Sequence, residues 1–361
     1  MKIALVGCGA VTQAVYVPLL SRRRDLFEVS AVCDLSRTLA DTVGDRLGAA
    51  RRYTSLDAML ADGGFEAVIV LASGSHGESV RLALAAGHAV LCEKPLALTR
   101  AEVAALPEGR LMVGYMKQYD PAVRRAGELL AGLGGPEAVR SVEVSVLHPS
   151  AESQLAFAGL TRAADVDPGV LAGLRAAEDE LVARALGESA SEALRNVYGV
   201  SLGSICHDLS LLRLFTGSPG EISYVESWGP APGSIAISGP LPVAGRFQIR
   251  WHYLEDYPAY RETVAVHHAA GTLELVFPAP YLMNAPTTLT VVSGAETRAE
   301  YREVTEAFEV QLAAFHAYVN DGRPPLTDAR GALEDIVTAQ RIAARYAALN
   351  GLSIGGEAAW T

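Results

Sequence analysis

The sequence predicts a doubly wound α/β domain followed by an α+β domain on a mainly antiparallel sheet. Apolar strands alternate with helical segments through the first third, and a glycine pair follows the first strand. Beyond Gly217, strand patterns with short connections dominate. At 361 residues the chain is long for one core, and two domains are expected, 1–120 and 121–361.

The elements read in order as follows. Lys2–Val6 is a short buried strand and Ala10–Leu20 a helix. Phe27–Cys33 is a second strand ending at Asp34, followed by a helix over Ser36–Leu47. Ala67–Ala72, Val90–Cys92 and Leu111–Tyr115 continue the strand series, with a Glu78–Ala86 helix between the first two. Near residue 120 the pattern changes. Arg140–Leu147 alternates as a strand should, and Ala151–Val200 reads as two or three helices. Ser223–Trp228, Gly245–Tyr253, Arg261–His268, Thr272–Phe277 and Thr288–Val292 then read as strands. Val304–Asn320 and Asp328–Leu349 are closing helices, separated by the helix stop Asp321-Gly322-Arg323-Pro324-Pro325. The final helix is expected to pack back on the first domain.

Half of the residues are apolar and 20% are charged, which suits a packed globular chain. A net charge of -11 argues against nucleic acid as a general partner. No apolar run approaches the roughly 20 residues that span a bilayer, so no membrane partner is expected. Met1 leads straight into an apolar strand without a cationic leader. Cys8, Cys33, Cys92 and Cys206 show no C-x-x-C spacing and read as reduced buried thiols. A cytoplasmic location is the expectation.

Gly7-Cys8-Gly9-Ala10-Val11-Thr12 follows the first strand and opens a helix. Gly7 permits the tight turn. Gly9 lets a pyrophosphate approach backbone N–H groups at the helix start, where Ala10 and Val11 follow. Thr12 stands where the Rossmann fingerprint has Gly or Ala, so the motif is imperfect. Asp34, ending the next strand, can accept from adenosine ribose hydroxyls and repel a 2′-phosphate. NAD is therefore expected, with NADP as the alternative because Arg37 lies close enough in sequence to face a phosphate.

Only three lysines occur, Lys2, Lys94 and Lys117. Lys94 follows a parallel strand at the sheet's carboxyl edge, and Pro95 restricts its backbone. A lysine there can hydrogen-bond a substrate hydroxyl, stabilise a developing alkoxide and exchange a proton, which arginine cannot.

Gly7-Cys8-Gly9, Asp34, the stretch from Gly87 to Glu93-Lys94-Pro95, the stretch from Val113 to Pro121, and His207 together resemble a known family. It is the glucose–fructose oxidoreductase, inositol dehydrogenase and rhizopine-catabolism group (Gfo/Idh/MocA). The resemblance implies an N-terminal Rossmann domain and a C-terminal α+β domain with a large, open, mainly antiparallel sheet. That sheet's outer face would form a homodimer or homotetramer. The resemblance also implies hydride transfer at a secondary alcohol or ketone of a sugar, inositol or aminocyclitol, with Lys94 and His207 catalytic. It adds Ser73, His76 and Glu93 to the cofactor set. Lys117, Tyr119, Tyr198 and His207 are the expected substrate contacts, Lys117 otherwise forming a structural ion pair with Asp120.

Two features depart from the family. Relatives that oxidise polyols carry an aspartate one helical turn before the histidine, and here that position is Gly203. Asp208 points about 100° away from His207 on a helix and cannot simply replace it. The stretch Ala151–Val200 is also longer than in relatives, and reads as a cap on the second domain or as a lid or subunit contact. The alternatives left open are a dinucleotide-binding regulatory protein and a reductase of an imine or unsaturated metabolite. His267-His268 alternate faces and lack partners at ligand spacing, so no metal is expected.

Overall fold

The computed structural model describes residues 1–294 and 297–361 and divides the chain into two compact units. The first unit comprises Met1–Gly114, Leu155–Val182 and Gln311–Leu333. The second comprises Tyr115–Gln154, Ala183–Val310 and Glu334–Thr361.

The first unit is built on six strands: β1 (Lys2–Val6), β2 (Glu28–Cys33), β3 (Arg51–Tyr53), β4 (Ala67–Val70), β5 (Ala89–Glu93) and β6 (Leu111–Gly114). All are parallel, in the order β3-β2-β1-β4-β5-β6. The central strands are apolar on both faces because helices cover both, and Leu5, Ile69 and Leu91 are fully buried. Each such side chain contributes roughly 1.5–3 kcal/mol relative to exposure. The strand order reverses between β1 and β4, which opens a crevice at the carboxyl edge. The returning segment shields the β6 end of the sheet. Thr327 O accepts from Val113 N, and Val319 O accepts from the Arg110 guanidinium.

The second unit carries β7 (Val139–His148), β8 (Tyr224–Trp228), β9 (Ser234–Pro240), β10 (Arg246–Tyr253), β11 (Arg261–His268), β12 (Gly271–Phe277), β13 (Thr288–Ser293) and β14 (Thr297–Arg302). Their order is β14-β13-β12-β11-β7-β10-β9-β8. Every pair is antiparallel except β7 with β10. Alternation buries one face: Val142, Val144 and Val146 on β7, Phe247, Ile249 and Trp251 on β10, and Val264 and Val266 on β11. The same period places Glu262 on the buried face of β11.

Three expectations are corrected. The first compact unit closes at Gly114 rather than 120. Of the stretch Ala151–Val200, read as a cap on the second domain or as a lid or subunit contact, residues 155–182 fold with the first unit, which corrects the cap reading for them. The penultimate helix, Ala307–Asp321, supplies the return to the first unit from Gln311 onward, whereas most of the last helix, Ala329–Asn350, belongs to the second. Strands β3, β9 and β14 were absent from the sequence pattern. No helix among the described residues is long and apolar enough to cross a membrane.

Candidate active site

The carboxyl edge of the parallel sheet is held together by Asp34. Its Oδ2 accepts from Cys8 N at 2.7 Å and its Oδ1 from Ser36 N at 2.8 Å, so one carboxylate joins the loops after β1 and β2. Gly7 has φ +92°, and a Cβ there would lie 2.5 Å from Ala72 N. Only glycine allows this approach of the β1 loop to the end of β4. At Gly9 an added Cβ would meet nothing within 4 Å. That open space, beside the start of a helix over 10–22, fits a pyrophosphate against Ala10 and Val11. The helix contains a π turn at Thr12–Tyr16, and the Thr12 hydroxyl donates to Gly7 O at 2.7 Å. Thr12 thus braces the turn from a position where the fingerprint has a small residue. Arg37 pairs with Asp41 at 3.0 Å on its own helix, and Ser73 is exposed.

Lys94 is half-buried at the end of β5, between two pinned neighbours. Glu93 is buried, and its Oε1 accepts from Tyr16 OH at 2.7 Å, which in turn accepts from Gln311 Nε2 at 3.2 Å. Burial pushes the Glu93 carboxyl above the usual range, against the pull of Tyr16 and Lys94. His76 is also buried, with its ring nitrogens 2.6 Å from Pro95 O and Ala72 O. Burial and the neighbouring Lys94 charge hold it below the ordinary imidazole range despite those two contacts. A neutral ring donates to only one carbonyl, so the opposite contact lacks a proton. His76 and Glu93 brace the Lys94 loop through these contacts.

In the second unit, His207 is half-buried on the helix Cys206–Thr216. Its ring meets Tyr115 edge-on at 6.3 Å, and the Arg213 guanidinium lies 5.4 Å from the Tyr115 ring centroid. Arg213 pairs with buried Asp335. Burial and Asp335 push the Tyr115 phenol well up, which suits a support for His207 rather than a proton donor.

Lys117 is not partnered by Asp120. Its Nζ lies 2.5 Å from Glu262 Oε2 and 3.4 Å from Asp208 Oδ1, with all three side chains buried. Burial opposes the Lys117 charge, but the two carboxylates outweigh it and hold the ammonium above its ordinary range. Burial, together with Glu262, pushes the Asp208 carboxyl well up, against the pull of Lys117. Asp120 instead caps the helix Pro121–Gly132 through Ala122 N and accepts from Thr287 Oγ1. Tyr119 and Tyr198, expected at the substrate, are 4% and 1% exposed within this unit. Gly203 lies in a π turn, Ser201–Ile205, and a Cβ there meets nothing within 4 Å.

All four cysteines are buried thiols outside any disulfide, and burial with Asp34 beside it pushes the Cys33 thiol up to about 12. They are poor nucleophiles.

Residues 1–108 match an oxidoreductase family described as having an NAD-binding Rossmann fold. D-xylose 1-dehydrogenase (NADP(+)) 2 of Haloferax volcanii is 32% identical over 149 residues, 39% of this chain and 45% of that protein. Inositol 2-dehydrogenase 3 of Saccharopolyspora erythraea is 30% identical over 146 residues, 38% of this chain and 43% of that protein. The matches thus span less than half the length of these curated relatives. The WlbA dehydrogenase of Bordetella pertussis, solved with NADH and UDP-GlcNAcA, covers 98% of each chain at a TM-score of 0.69 and 19% identity. That likeness extends the shared fold through the second unit.

The geometry sets the expected outcome of four substitutions. Gly9→Ala should fold normally yet weaken dinucleotide binding by about tenfold or more, because the methyl fills the pyrophosphate approach. Gly7→Ala should instead lower the unfolding midpoint. Calorimetric titration and thermal melts separate the two. Lys117→Met should cost roughly 3–5 kcal/mol in denaturant unfolding, since it removes the cation facing buried Glu262, while Asp208→Asn should cost clearly less.

Proposed function

We propose that this chain, whose residues 1–108 match the Gfo/Idh/MocA oxidoreductase family model, is as a whole an NAD(P)-dependent dehydrogenase or reductase acting on a CH–OH group. The substrate class in this reading is a polyhydroxylated small molecule, a sugar, inositol or aminocyclitol. The names of relatives support it: inositol 2-dehydrogenases and the D-glucoside 3-dehydrogenase of Escherichia coli (strain K12).

The observation that carries the reading is Lys94. It is a half-buried ammonium at the carboxyl edge of the sheet, on a loop fixed from one side by Glu93 and Tyr16 and from the other by His76. So much support for one short loop is expected where a side chain must be oriented closely. Bound nicotinamide supplies the hydride chemistry. Lys94 then polarises the substrate oxygen, and His207 exchanges its proton. Asp208 serves elsewhere, since its carboxyl is committed to Lys117 and Glu262. Asp34 at the ribose end supports NAD over NADP. The quaternary state in this reading is a homodimer or homotetramer formed through the outer face of the second sheet.

Lys94→Met should abolish turnover with a polyol panel while leaving NAD binding within about threefold of wild type. Retained turnover would remove Lys94 from the reaction. Gly203→Asp, which has open space for its carboxylate, should move the acid limb of kcat/KM to higher pH by stabilising protonated His207. An unshifted profile would count against His207 as the titrating base.

A further inference from the structure

Segment 155–182 crosses the carboxyl edge of the parallel sheet at three neighbouring strands. After β1, the Gln13 side chain grips Thr161 from both sides. Thr161 N donates to Gln13 Oε1 at 2.9 Å, and Gln13 Nε2 donates to Thr161 O at 3.1 Å. After β2, Asp165 accepts from Ser36 Oγ at 2.5 Å, Thr38 N at 2.9 Å and Thr38 Oγ1 at 3.0 Å. After β4, Glu178 Oε2 lies 3.0 Å from where a Cβ on Gly74 would stand. The segment is a strap over the crevice in which a dinucleotide would lie. It leaves space at Gly9, where an added Cβ would meet nothing within 4 Å.

The Asp165 contacts fall at one end of the crevice, next to Asp34. A 2′-phosphate bound there needs donors. Ser36 Oγ, Thr38 N and Thr38 Oγ1, at the start of the helix Arg37–Leu47, form such a set, and the helix dipole favours an anion beside them. Asp165 already holds all three. Arg37, the guanidinium that could rescue a phosphate, is drawn to Asp41 instead. NAD carries no phosphate at this position and makes no demand on these donors.

We propose that Asp165 is a specificity-determining residue, whose carboxylate takes the donors a 2′-phosphate would use and, with Asp34, sets the site for NAD against NADP. This rests on the dinucleotide reading above. The Ser36 hydroxyl and the Thr38 N–H lower the Asp165 carboxyl to about 2. A depressed carboxylate contributes its contact above its unfolded value, near 4, and loses it only as pH falls through about 2. Asp165 therefore keeps its charge throughout the neutral range.

The test is calorimetric titration of wild type and Asp165→Ala with NAD+, NADP+, ADP and 2′,5′-ADP. Asp165 is exposed, so the variant should fold, and its unfolding midpoint checks that. Wild type should favour NAD+, and Asp165→Ala should gain about tenfold or more for NADP+ and 2′,5′-ADP with no gain for NAD+ or ADP. An unchanged NADP+ affinity, or equal gains for both dinucleotides as from a strap that only occludes, overturns the role of Asp165 while dinucleotide binding stands. Failure of wild type to bind either dinucleotide overturns the underlying reading as well.

Discussion

A carboxylate on the core face of a central strand has to be neutralised, and Glu262 on β11 imposes that demand on the whole second unit. The period-two alternation that buries Val264 and Val266 buries Glu262 with them. Leaving its charge unmatched would cost several kcal/mol, so a cation must arrive with good geometry. Lys117 answers from the 3₁₀ turn Met116–Tyr119, and Asp208 joins from the helix that carries His207. One buried cluster thereby fixes the relation of a strand, a turn and a helix. The neighbouring residue, His207, inherits its position from that constraint and from Tyr115, which Arg213 and Asp335 hold in turn.

The first unit depends on a different economy. Parallel strands bring their connecting loops to one edge, and each loop arrives with backbone N–H groups that need acceptors. Asp34 satisfies two loops at once, and Gly7 lets a third pack against them without a side chain between. The strap repeats the logic one layer out: an amide grips its backbone at Thr161, and a carboxylate docks on a helix start. The same donors that stabilise the strap are those an anionic ligand would seek, which is how a structural contact comes to bear on ligand choice.

Legibility in the sequence followed the strength of the local signal. Buried central strands such as β1, β4 and β5 are continuous apolar runs, and their positions were apparent within a few residues. Strand β3 reads Arg51-Arg52-Tyr53 and β14 reads Thr297 to Arg302, both at sheet edges. An edge strand needs only a partner backbone, so its side chains carry little apolar pattern. Strand β9 carries Gly239 and Pro240, residue types that weaken a strand pattern. Among site residues, Lys94 stood out because lysine is rare in this chain. Asp165 offered no signal, since an exposed aspartate in an irregular segment looks like any solvated one. Glu262 was equally silent, its burial being set by register.

The sequence by itself determined the parallel first domain, its glycine turn, the carboxylate after the second strand and the exceptional lysine before Pro95, because each is a local pattern with a local physical cause. Only the tertiary structure decided which charges meet. Lys117 chose Asp208 and Glu262 over nearby Asp120, and both ring nitrogens of His76 reached backbone carbonyls that brace the Lys94 loop. It also decided that 155–182 lies on the first unit rather than the second. Those outcomes depend on residues separated by 100 or more positions in some cases, as Lys117 and Glu262 are by 145, and on burial that no window of sequence contains.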